Sequence, residues 1–160
     1  MRPNMIHAAA WISGTVLLAS TAPVRADWQF TQWGMTSEQV VKASKGVARA
    51  TSPDEMESKA PINSSERVLL TIPVYQAGDL PLAVDFYFDT SGKLSRVALT
   101  LKSPDKIYEM ENALINKYGQ PTIPDGDGGV WLTARDHIVL SREFHVLQYA
   151  PRATTSSGAL

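Results

Sequence analysis

The clearest pattern in the chain is an alternation of apolar and polar side chains across residues 84–101. The apolar positions are even-numbered before a central turn and odd-numbered after it: Val84, Phe86 and Phe88, then Val97, Leu99 and Leu101. A period of two is typical of a β-strand with one buried and one solvated face. The segment therefore predicts a β-hairpin whose solvated face carries Asp85, Tyr87 and Arg96.

The parity of these positions also predicts the register of the hairpin. Because a slip of one residue would turn a whole apolar set into water, opposed residue numbers must add to an odd number. A four-residue loop meets this condition and sets Phe86 opposite Val97 and Tyr87 opposite Arg96, whose guanidinium can stack on the ring. The loop would be Thr90–Lys93, and the further pairs Val84 with Leu99 and Leu82 with Leu101. A three-residue loop ending at Gly92 would set Phe86 against Arg96, so we reject it.

Two segments carry helix signals. Thr36 is a good N-cap and Gln39 completes a capping box, which predicts a helix over Ser37–Lys45. A second helix is predicted over Ser103–Tyr118, because Ser103 is a suitable cap and Gly119 a suitable terminator. The predicted buried positions are Val40, Val41, Ser44 and Val47 in the first helix, and Ile107, Met110, Leu114 and Tyr118 in the second.

The other periodic segments are short strands. Val68–Tyr75 alternates and is predicted to join the central hairpin through a three-residue loop, Ala77–Asp79, with Val68, Leu70, Ile72 and Val74 toward the core. Three further strands are predicted at Val130–Thr133, His137–Ser141 and Phe144–Tyr149, with His137 facing Gln148 in the last hairpin. Residues 49–66 have no period and predict a long polar loop. The element order indicates an α+β fold made of two αβββ units.

The first residues are typical of a signal peptide. Arg2 supplies a positive charge, Ala8–Leu18 is a short apolar run, and small residues precede a cut before Asp27. A membrane anchor is the alternative, but polar residues interrupt the run and it is short for a span. We therefore expect residues 1–26 to be removed, residues 27–150 to form one domain, and residues 151–160 to be a disordered tail.

Composition excludes several classes of function. The 160 residues carry a formal net charge of −1, and a weakly acidic chain is a poor partner for nucleic acid. Cysteine is absent, which excludes thiol catalysis, thiolate metal sites and the acylated cysteine of a lipoprotein. We therefore expect no stable membrane anchor after signal cleavage, and a periplasmic or secreted protein.

No set of residues predicts catalysis or a cofactor. His137 and His145 would lie on opposite faces of the last hairpin, without a third ligand at metal-binding spacing. The DGDGG run at 125–129 resembles the start of a calcium loop, but Gly129 holds no side chain where the next ligand is needed, and calcium binding stays open. Asp85 and Asp89 are interpreted as solvated strand positions. We predict no catalytic, cofactor-binding or metal-binding residues.

A binding surface, if the chain has one, is predicted around its aromatic residues. Trp and Tyr are favoured as anchors in protein interfaces, although they also pack in cores. The candidate partner-surface residues are Trp28, Trp33, Tyr87 and Arg96.

Two motifs resemble the SmpA/OmlA family of outer-membrane assembly proteins. WGMTSEQV at Trp33–Val40 resembles the family's GMT-x-x-QV opening, and FYFDTSGKL at Phe86–Leu94 resembles its F-D-x-x-G-x-L strand–turn motif. The resemblance implies an envelope location and a β-lactamase-inhibitor-protein-like fold, in which helices pack on one face of an antiparallel sheet. The family's usual lipobox cysteine is missing, and its Gly-x-Pro appears only after the second helix, at Gly119–Pro121. No functional residue is carried over.

Together these features lead to one functional expectation and one alternative. We expect a non-catalytic exported protein that acts through contact with one or more envelope proteins. The alternative is a periplasmic module that binds a small ligand or lipid in a cavity between helices and sheet. A hydrolase is disfavoured, because the sequence shows no assembled catalytic set.

Overall fold

A computed structural model describes residues 28–61 and 64–153, which form an antiparallel sheet with a few short helices. The fold is therefore α+β. The helices are α1 (Ser37–Ala43), α2 (Pro53–Ser58) and α3 (Ile107–Tyr118), the last preceded by a 3₁₀ turn at Pro104–Lys106. The strands are β1 (Arg49–Ala50), β2 (Arg67–Ala77), β3 (Leu80–Phe88), β4 (Leu94–Leu101), β5 (Ile123–Asp125), β6 (Gly128–Leu132), β7 (Asp136–Ser141) and β8 (Val146–Pro151).

The eight strands form one sheet in the order β1-β2-β3-β4-β8-β7-β6-β5. The first four strands follow chain order. The last four are reversed, so that β8 pairs with β4 at the centre of the sheet and β5 forms an edge. Helix α3 connects β4 to this distant edge.

The main core lies on one face of the sheet, beneath α1 and α3. Apolar residues of β3, β4, β7 and β8 meet Val40 of α1 and Met110 and Leu114 of α3. The capping box between Thr36 and Gln39 starts α1 as predicted. The predicted stripe of α1 is wrong at one position, because Val47 lies beyond the helix and is exposed.

The opposite face, which we call the second face, is not open along its whole length. Helix α2 covers part of it, and its Met56 packs against a separate buried cluster of Val68, Tyr87 and Ala98. The interval 49–66, predicted as a long polar loop, thus contains β1 and α2. The signal was a second capping box, in which Ser52 and Glu55 bond each other's backbone N–H.

The register predicted for the central hairpin is confirmed, but its turn differs. The pairs are Leu82–Leu101, Val84–Leu99, Phe86–Val97 and Tyr87–Arg96. The Asp89 N–H donates to the Lys93 carbonyl at 2.9 Å, which leaves a three-residue loop ending at Gly92. Gly92 has a φ of +73°, a left-handed conformation that suits glycine. A β-bulge at Ser95 restores the parity, so the shorter loop and the predicted pairs coexist.

Bulges also change the neighbouring strand. The β2–β3 turn has two residues, Gly78 and Asp79, rather than the predicted three, and a bulge at Pro73 and Val74 compensates. Val74 is therefore exposed instead of buried. A second irregularity between Val68 and Leu70 turns Val68 onto the second face.

The last hairpin corrects three further predictions. His137 pairs with Ala150, not with Gln148, because the turn spans residues 142–145 between Ser141 and Val146. Phe144, predicted to start the strand, lies in this turn and is 68 % exposed. Pro151, predicted to begin the tail, is still in β8. The predicted signal peptide and residues 154–160 lie outside the described residues.

Candidate functional site

One row of side chains crosses the second face through all eight strands. Backbone pairing aligns Arg49, Thr71, Asp85, Ala98, Gln148, Val139, Val130 and Ile123 in that order. The β1–β4 end of the row is polar and lies near α2, whereas the β5–β7 end is apolar. Partners in an antiparallel sheet point to the same side, so the row defines two halves of one surface.

We call the β1–β4 end of the row, which α2 covers, the covered half. There, a buried carboxylate holds the segment after α2. Asp85 is only 6 % exposed, so the prediction that it is solvated is wrong. Its Oδ1 accepts from the Lys59 ammonium at 2.7 Å, and the Thr71 hydroxyl lies 2.7 Å from the same oxygen. Since β3 fixes Asp85 and Lys59 directly follows α2, this pair ties the helix to the sheet.

Tyr87 and Arg96 stack as predicted, but both are engaged within the chain. The Arg96 guanidinium lies 3.9 Å from the Tyr87 ring centroid. Glu66 accepts from Arg96 Nε at 3.0 Å, and Gln148 Oε1 accepts from Nη1 at 3.3 Å. The Tyr87 hydroxyl donates to the Lys59 carbonyl at 3.3 Å. Burial, reinforced by the charge of Asp85, raises the pKa of Tyr87, which keeps the hydroxyl a neutral donor.

A second ion pair holds the start of α2. Both guanidinium Nη atoms of Arg49 donate to the Glu55 carboxylate, at 2.9 and 2.8 Å. This bidentate contact, together with the Ser52 N–H, lowers the pKa of Glu55 to about 2. Helix α2 is too short to be stable alone, so these contacts and Met56 hold it in place.

The two tryptophans of the predicted partner surface both make contacts within the chain. Trp28 is 4 % exposed and makes edge-on contacts with Phe30, Tyr75 and Phe86 at 5.4–5.5 Å between ring centroids. Trp33 is half-buried, and its Nε1 donates to the buried Asp136 carboxylate at 2.8 Å. Both rings fasten the N-terminal segment to the sheet.

The candidate ligand residues of the last four strands are spread apart. His137 is exposed on the second face, whereas His145 lies in the β7–β8 turn with a φ of +53°. Asp127 accepts from the Ser141 hydroxyl at 2.6 Å and from the Glu143 N–H at 2.7 Å, and the first of these bonds contributes most to lowering its pKa. This carboxylate ties two turns together. No group of three or more metal-ligating side chains occurs within 28–61 and 64–153.

The apolar end of the row forms a surface that the sequence did not predict. We call this surface the open half; it consists of Ile123, Val130, Leu132 and Val139 on the second face of β5–β7. Val130, Leu132 and Val139 are half-buried, and Ile123 is 53 % exposed. In the described part of the chain, the apolar cluster under α2 extends only to Val146 of β8. Alternation within β6 was the available signal, because Val130 and Leu132 flank the core residue Trp131.

The fold and this surface define an antiparallel α+β protein with one packed sheet face and one half-covered face. No protein-family model matches the chain, and the comparisons with curated proteins and with solved structures return no match. None of the helices described is long and apolar enough to cross a membrane.

Proposed function

We propose that this chain is a non-catalytic protein of the cell envelope, periplasmic or secreted, that binds a partner protein through the open half. The observation that carries the proposal is the single row across the second face, whose apolar end is covered by none of the helices described. The resemblance to SmpA/OmlA proteins and the predicted signal peptide support the location. A contiguous apolar patch rimmed by polar residues is typical of an interaction surface.

The covered half indicates what kind of partner fits. There, a short helix presents one apolar side chain, Met56, to Val68, Tyr87 and Ala98, while ion pairs hold its ends. The open half continues the same row on the same sheet. We therefore infer that the partner offers a short amphipathic helix, which would lie beside α2 with its apolar side on Val130 and Val139.

Site-specific photocrosslinking tests this proposal. A photoreactive residue at Val139 should give a discrete adduct with one envelope protein, whereas the same residue at Asn112, exposed on α3, should not. In the Val139 background, Val130→Glu should abolish the adduct and Val130→Thr should keep most of it, because only the first places a charge in the contact. Equal thermal unfolding of the two Val130 variants would show that the fold is intact.

Two outcomes contradict the proposal. Identical adducts from Val139 and Asn112 would show that crosslinking reports collision and not a site. An adduct that survives Val130→Glu in a folded chain would show that the open half is not the contact.

A further inference from the structure

A pocket lies on the other side of the sheet, between α3 and β3, β4 and β8. Its volume is about 180 Å³. The inner wall consists of apolar side chains that are almost fully buried, among them Leu82, Leu99, Met110 and Leu114. The pocket is separated from the open half by the thickness of the sheet, so it is independent of the proposed partner surface.

The mouth of the pocket is chemically different from its wall. Ala113 and Lys117, one turn apart on α3, line the pocket and are exposed. The Lys117 ammonium lies 4.6 Å from the Tyr118 ring centroid, and among the described residues no carboxylate forms an ion pair with it. The site thus combines an apolar interior with one cation at its entrance.

We propose that this pocket binds a small amphiphilic carboxylate, with its apolar part against Met110 and Leu114 and its carboxylate at Lys117. The volume selects the size, because a cavity of about 150 Å³ lined by aliphatic and aromatic side chains is known to hold benzene. Drug-sized ligands and whole lipids need several hundred Å³. The apolar part therefore has about six carbons, as in a short fatty acid or an aryl acid.

Titration of the full chain with three matched probes tests the proposal. Hexanoate has both parts, 1-hexanol has only the apolar part, and acetate has only the carboxylate. With ¹³C-labelled methyl groups, hexanoate should give saturable shifts at Met110, Leu99 and Leu114, and acetate should give none. Hexanol should bind about two- to fivefold more weakly, the effect of one exposed ion pair.

Two variants separate binding from folding. Lys117→Gln should make hexanoate bind no better than hexanol while leaving the hexanol affinity unchanged. Ala113→Trp should close the mouth and remove the methyl shifts, whereas Asn116→Trp, also exposed on α3, should not. The absence of saturable shifts with both hexanoate and hexanol would overturn the site. Equal affinities for the two probes in the wild type would overturn the role of Lys117.

Discussion

Replacing Lys59 with Met should destabilise the fold by about 2 kcal/mol, although Lys59 follows a short surface helix. The substitution keeps most of the aliphatic stem and removes the ammonium that lies 2.7 Å from Asp85 Oδ1. The side chains are 28 % exposed at Lys59 and 8 % at Asp85, so the carboxylate is the buried partner. Removing its counterion leaves a desolvated charge whose Oδ1 still lies 2.7 Å from the Thr71 hydroxyl.

The magnitude lies between two limits. Breaking a fully buried ion pair costs about 3–5 kcal/mol, and exposed pairs are worth about 0–1 kcal/mol. Hydrogen bonds to charged groups contribute about 1.5–3 kcal/mol. Because Lys59 keeps roughly a quarter of its exposure and Asp85 almost none, we expect a loss in the lower part of the range for hydrogen bonds to charged groups.

Urea unfolding followed by tryptophan fluorescence measures the effect. A double-mutant cycle with Asp85→Asn should give a coupling of about 1–2 kcal/mol, since the two groups are in direct contact. Lys102→Met, at an exposed lysine, should change stability by less than about 0.5 kcal/mol. The reasoning is refuted if Lys59→Met behaves like this control, or if its cost is the same in the presence of Asp85 and of Asn at that position.

Three further predictions follow from other contacts. The folded pKa of Glu55 is about 2 against an ordinary 4.5, so the stability from its pair with Arg49 is present above pH 4.5 and is lost as pH falls toward 2. The urea midpoint of the wild type should therefore fall across this pH range, and the midpoint of Glu55→Gln should lack this part of the pH dependence. Gly128→Ala should cost about 3 kcal/mol by thermal unfolding, because the new Cβ would overlap the Leu140 carbonyl oxygen; an unchanged melting temperature would contradict this geometry. Trp33→Phe should cost about 2 kcal/mol through loss of its hydrogen bond to a buried carboxylate, measured by urea unfolding, and a neutral result would show that the bond is not formed.

Parity predicted which residues face each other but could not predict the turns. In β3 and β4 the apolar positions specify Phe86 opposite Val97, and the sheet obeys this because both side chains must enter the core. A turn one residue shorter is compatible with the same pairs if a bulge follows at Ser95. Bulges leave little trace in the hydrophobic pattern, since the extra residue is unpaired. For the same reason, alternation could not predict that Val74 is exposed.

The hydrophobic pattern was also insufficient to predict the candidate site. Alternation indicates that Asp85 and Tyr87 share the face opposite the core, but it does not say whether another segment covers them. That answer depended on the capping box of Ser52 and Glu55, inside an interval whose composition favours a loop. Once α2 forms, Asp85 is buried and needs Lys59, and Tyr87 needs a backbone acceptor. A polar strand face beside a short capped helix is therefore better interpreted as a covered polar cluster. The partner surface that we propose is then the apolar end of the same row.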